Sequence, residues 1–188
     1  MRINLRETAG STILAGALSG RRTLNALLDA AGKEPSTPEP VFLDFTDIEV
    51  ATASYLRESV LAFRDVIRGR RSNLYPVIAN AADEVRDELA ELLRPRGDVF
   101  MTCVLDKMGR VSQTVLIGDL DPKQKVTFDL VRERGETDAG ELMRDYGEKE
   151  GVKQTAWNNR LAALAALGLV VEITQGRAKR YKLLFEGV

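Results

Sequence analysis

The chain has 188 residues, 44% of them hydrophobic and 29% charged, which is enough for one ordinary domain or two small ones with real cores. It has no histidine, so Ser-His-Asp and Cys-His catalysis and the usual zinc sites are excluded, and an enzyme is disfavoured. With 27 basic against 28 acidic residues the net charge is −1, so any binding to nucleic acid must come from a local patch.

The opening MRINL reads as a short strand, and MRINLRETAG holds no apolar signal core, so a cytoplasmic location is expected. Residues 12–31 space Ile13, Leu14, Ala17, Leu18, Leu24, Leu27 and Leu28 as a helix that Gly32 ends. Within it Gly16 and Gly20, four apart, favour close helix packing. KEPSTPEP is a loop, since three prolines in eight residues deny a regular element. VFLDF is a strand apolar enough to be buried on both faces. Asp44 and Asp47 follow near its end, a weak pattern for a cation. A helix over residues 52–68 turns Leu56, Val60, Phe63 and Ile67 inward. Arg68, Arg70 and Arg71 stand at its solvated end. SNLYPVIAN is a further strand, and Pro76 argues for a sheet edge or an early end. ADEVRDELAELL is a helix that PRG stops. DVFMTCVL and RVSQTVLIGDL are two strands joined by a short DKMG connection. Cys103, the only cysteine, falls in an apolar run and is expected to be a buried thiol. No apolar run approaches the roughly 20 residues of a membrane helix.

Strands and helices alternate to about residue 120, which predicts an α/β domain over 1–120 with a mixed sheet covered by helices. Residues 121–188 differ, and predict an α+β domain. KVTFDLVRERG is a short helix. Thr137 is placed as the N-cap of a second helix, AGELMRDYGEKEG, although Glu141 misses strict capping-box spacing by one. Residues 152–167 form a third helix, and LVVEIT and AKRYKLLF form a hairpin around QGR.

With Leu161 facing inward, Trp157, Leu164, Ala165 and Gly168 share its side of the third helix. Thr155, Asn159, Ala162 and Ala166 take the opposite side, flanked by Asn158 and Arg160. No acidic residue occurs between Val152 and Val171. Amides suit base edges, small alanines allow close approach, and a helix N-terminus attracts phosphate. Lys153, Arg160, Arg177, Lys179, Arg180 and Lys182 face a single acid, Glu172, over the same stretch, whereas acids outnumber bases by eight to six over residues 122–152.

The segment TAWNNRLAALAALGLVVEITQGRAKRYKLL resembles the recognition helix and wing of the winged helix-turn-helix family. The resemblance implies that Lys153, Thr155, Asn158, Asn159 and Arg160 meet a DNA groove, and that Arg177, Lys179 and Arg180 meet the backbone. VFLDFTDIEVATASYLRESVLAFRD in turn resembles the STAS domain of bacterial anti-sigma-factor antagonists, and more closely the STAS-like family. In the antagonists an Asp-Ser pair opens the helix and the serine is phosphorylated. Thr52 and Ala53 stand at those positions here, so that acceptor is missing. Ser54 is one place off, Tyr55 replaces a small residue, and Thr52 or Ser54 is expected to act simply as a helix cap. The combined expectation is a prokaryotic, cytoplasmic, homodimeric transcription regulator without a metal or cofactor, binding duplex DNA through its C-terminal domain. Its STAS-like domain would offer Thr52, Ser54 and Tyr55 to a protein partner or respond to a signal. The alternative is a protein-interaction adaptor that does not touch DNA.

Overall fold

A computed structural model describes residues 1–176 and 178–185. The chain divides into two compact units, Met1–Asp119 and Leu120–Val188. The first is a mixed α/β unit. It opens with β1 (Arg2–Asn4), α1 (Leu5–Ala9), β2 (Ile13–Leu14) and α2 (Ala17–Ala31), followed by β3 (Glu39–Asp44), β4 (Val50–Ala51) and α3 (Ala53–Leu56). A π turn, Arg57–Leu61, joins α3 to α4 (Ala62–Gly69). Next come β5 (Leu74–Ala79), α5 (Asp83–Leu93), β6 (Val99–Leu105) and β7 (Val111–Gly118).

The main sheet has the order β1-β3-β5-β6-β7, parallel except for β7, which runs antiparallel to β6. Ile3, Val41, Leu43, Leu74, Ile78, Phe100 and Ile117 of the strands share one core with Leu27, Leu56, Val60, Phe63, Val85 and Leu89 of the helices. The 2.0 period of the strands and the 3.6 period of the helices each deliver a stripe to that layer.

Several local expectations are corrected. Residues 12–31 are not one helix. Ile13 and Leu14 pair with Val50 and Ala51 as a parallel ribbon, and α2 starts after Gly16. Gly16 has φ 81° and ψ 145°, a backbone state essentially reserved for glycine. Pro76 does not mark an edge strand, because β5 lies between β3 and β6. Its missing N–H is tolerated because β6 joins β5 only at Ile78 and Ala79, beyond the proline. Arg68 is buried rather than solvated. Its guanidinium donates to the carbonyls of Ser72 and Leu74, at 2.5 and 3.1 Å, and lies 3.9 Å from the centre of the Tyr75 ring. Gly20 does serve close packing, since a Cβ there would sit 2.7 Å from the Tyr55 carbonyl oxygen.

Asp44, fully buried at the carboxyl end of β3, ties that strand to the first residue of β1 and to the residue after β5. It accepts hydrogen bonds from Arg2, from the Thr46 amide and hydroxyl, and from Asn80. Burial alone would raise its carboxyl, but those bonds outweigh burial and hold it below the ordinary range. Asp47 pairs with Arg6 at 3.0 Å, so both carboxylates of the weak cation pattern have arginine partners. Cys103 is buried, and burial together with the charge of Asp44 pushes its thiol up to about 11, so it is inert.

The second unit carries α6 (Pro122–Arg134), β8 (Glu136–Thr137), α7 (Ala139–Glu150), α8 (Gln154–Ala166), β9 (Val170–Gln175) and β10 (Ala178–Leu183). β8, β10 and β9 form an antiparallel three-stranded sheet in that order. The N-cap of α7 is Asp138 and not Thr137. The Asp138 carboxylate accepts from the amides of Gly140 and Glu141, which puts Glu141 at the capping-box spacing. Thr137 belongs instead to β8, and its hydroxyl donates to Glu141 at 3.1 Å. No helix among the described residues is long and apolar enough to cross a membrane.

Candidate nucleic-acid interface

The periodicity of α8 decides which residues it offers. Trp157, Leu161, Leu164 and Ala165 are buried, while Thr155, Asn158, Asn159, Ala162 and Ala166 are exposed. The exposed face is therefore a hydroxyl and two amides followed by alanines. Among the described residues, the side chains of Thr155, Asn158 and Asn159 make no hydrogen bond or ion pair, so their donors and acceptors are available.

The start of α8 differs from its neighbours in the same unit. α6 and α7 begin on Asp121 and Asp138, each of which caps two amides. α8 begins on exposed Lys153, with no side-chain cap and no acid in its first turn. A cation at the positive end of a helix, over uncapped amides, is unfavourable until an anion joins it. Arg160 is half-buried, with its guanidinium 5.0 Å from the centre of the Trp157 ring.

The hairpin cations are less free than their spacing suggests. Lys179 forms an ion pair with Glu172 at 2.8 Å but stays 46% exposed. Arg180 is the larger correction. Its guanidinium binds Glu136, Asp138 at 3.3 Å and Glu141 at 3.1 Å, and only a quarter of its side chain is exposed. Hydrogen bonds from Arg180 are the first cause that holds the Glu141 carboxyl below its ordinary value. Arg180 thus fastens β10 to β8 and to the start of α7. It is not a free contact for phosphate. Lys182 is exposed, and Arg177 lies outside the described residues.

In the first unit Thr52 is the helix cap. Its hydroxyl oxygen accepts from the Tyr55 amide at 3.4 Å and from the Gly16 amide at 3.3 Å. Ser54 is half-buried and shares a hydrogen bond with Thr52 at 3.2 Å. Tyr55 cannot belong to a partner surface, since it is fully buried and its hydroxyl donates to Thr23 at 2.8 Å. The Ala53 amide donates to Glu88 of α5 at 2.7 Å, so a carboxylate already occupies this helix start. Ile13 and Val50 stand side by side in the β2–β4 ribbon, and both are exposed. A polar hollow of about 640 Å³, lined in part by Asn4, Arg6, Glu7, Ser11, Thr12 and Asp47, opens beyond the carboxyl ends of β1 and β3.

Sequence reasoning missed the carboxylates that hold Arg180. The only signal was the ET dipeptide ahead of α7, which becomes β8 and sets Glu136 opposite Lys182. No protein-family model matches the chain, and no curated protein matches it.

Proposed function

We propose that the protein is a DNA-binding transcription regulator whose C-terminal unit is a winged helix-turn-helix. In this reading α8 is the recognition helix, the β9–β10 hairpin is the wing, and the N-terminal unit is a STAS-like module that docks a partner or senses a signal. One observation carries the reading: an uncapped helix start headed by Lys153 adjoins a face of unpartnered Thr155, Asn158 and Asn159 backed by alanines. The order α6-β8-α7-α8-β9-β10, with β8 completing the hairpin sheet, also supports it. Lys153 and the first α8 amides bind phosphate, and Thr155, Asn158 and Asn159 read base edges. Lys179 and Lys182 add backbone contacts, and Arg177 is assigned to the same role from its place in the sequence. One such unit buries little DNA surface, so a homodimer on a two-part cytoplasmic target is expected.

The second reading is an adaptor that binds protein and not DNA. It is favoured by the ion pairs of Lys179 and Arg180 and by the exposed Ile13 and Val50 beside the Thr52 cap. Gel retardation of a random-sequence duplex separates the two. Retardation at low salt that fades as salt rises supports the regulator. No retardation at low salt supports the adaptor.

A further inference from the structure

The two edges of the main sheet are unlike. β1 has three residues, ends at once in α1, and carries Arg2. β7 has eight residues, VSQTVLIG, with no charge and no proline. Natural edge strands are usually blunted by shortness, charge, proline or a bulge, and of these β7 has only a bulge at Gln113. No other strand among the described residues pairs with its outer side. Ser112 and Gln113 are exposed, and Val115 is 41% exposed.

We infer that β7 pairs antiparallel with β7 of a second copy of this chain about a two-fold axis. The charges at the ends of the strand fix both occupant and register. Arg110 precedes β7, pairs with Asp106 at 2.8 Å and still leaves 75% of its side chain exposed, and exposed Asp119 follows the strand. An axis at Val115, with Gln113 and Thr114 together opposite the partner's Leu116, sets each Arg110 against the partner's Asp119, Val111 against Gly118, and Ser112 against Ile117. The pairing is self-complementary, as a two-fold interface requires. It joins two opposite charges at each end and no like charges in between. β7 carries a bulge between its pairings with Thr102 and Val104, with Gln113 at φ 50°. In this register the bulges of the two copies flank the axis, so the ladder runs on either side of them. The pairing needs no nucleic acid.

The test is sedimentation equilibrium of the full chain, without DNA, over a range of concentrations. A monomer–dimer equilibrium is expected. Val115→Lys places ammonium groups near the axis, and Asp119→Arg faces the partner's Arg110. Each should raise the dissociation constant about tenfold or more. Adding Arg110→Asp to Asp119→Arg should restore dimerisation, a rescue that general damage cannot produce. Thermal melts of Val115→Lys and Asp119→Arg should match the parent, because those side chains are exposed, while Arg110→Asp also removes the pair with Asp106 and lowers the melt slightly. A monomer at every concentration overturns the inference, and so does a dimer indifferent to Val115→Lys and Asp119→Arg.

Discussion

Replacing Arg180 with alanine should weaken the fold of the C-terminal unit and leave the proposed charge contact with DNA intact. The guanidinium reaches Glu136, Asp138 and Glu141, whose side chains are 39%, 29% and 24% exposed. A single exposed ion pair contributes roughly 0–1 kcal/mol, and a hydrogen bond to a charged group about 1.5–3 kcal/mol. Partial exposure screens each bond, so the loss is about 1–2 kcal/mol, including the repulsion of three carboxylates left facing one another. Trp157 provides the assay, because it is the only tryptophan and is fully buried in this unit. Its fluorescence midpoint in urea should fall at unchanged slope. The acid dependence should change as well. Arg180 depresses the Glu141 carboxyl, so this stabilisation is whole above the ordinary value of 4.5 and fades as pH falls through the lower folded value. Arg180→Ala should flatten that acid decline. An unchanged Trp157 midpoint with a DNA salt slope reduced by about one would refute the reasoning, because Arg180 would then be meeting phosphate.

Asn159→Ala should cost roughly 1–3 kcal/mol of discrimination between a preferred duplex and a random one, with little change in stability. Equal weakening on both duplexes would remove Asn159 as a base reader. Gly20→Ala should destabilise the N-terminal unit by about 1–3 kcal/mol, because the new Cβ meets the Tyr55 carbonyl at 2.7 Å. A gain in stability by circular dichroism, as alanine's helix preference alone would give, would mean that the α2 contact is looser than described. The Asp44 carboxyl is depressed by its hydrogen bonds, so its contribution is whole above the ordinary value of 3.8 and declines as pH falls. Asp44→Asn should lower stability at neutral pH by about 1–3 kcal/mol and blunt the acid decline, which melts across pH would show.

The two faces of α8 were legible because 3.6 periodicity needs only local sequence, and Trp157, Leu161, Leu164 and Ala165 fall inward as that spacing predicts. The alternation of strands and helices in the first unit was legible for the same reason. The short pieces were not. α1 has five residues, and β2 and β4 have two each, too few to show a period. The π turn left no mark in the spacing of apolar residues, although Ser59 donates to the Tyr55 carbonyl there at 2.7 Å. Tyr55 reads from the sequence as part of a partner surface, because its partner Thr23 lies 32 residues away. Arg180 misled for the same reason. Counting charge along the chain placed its carboxylates in another segment, and only the pairing of β8 with β10 brings them together.

The proposed DNA binding by the C-terminal unit is tested most directly by the affinity of the full chain for a random duplex as a function of salt. Lys153, Arg177, Lys179 and Lys182 are four cations assigned to phosphate, so log affinity against log salt should fall with a slope of about −3 to −4. Lys153→Ala should make that slope shallower by about one, while Arg180→Ala leaves it unchanged. An affinity that does not vary with salt, or no binding at low salt, would contradict the assignment.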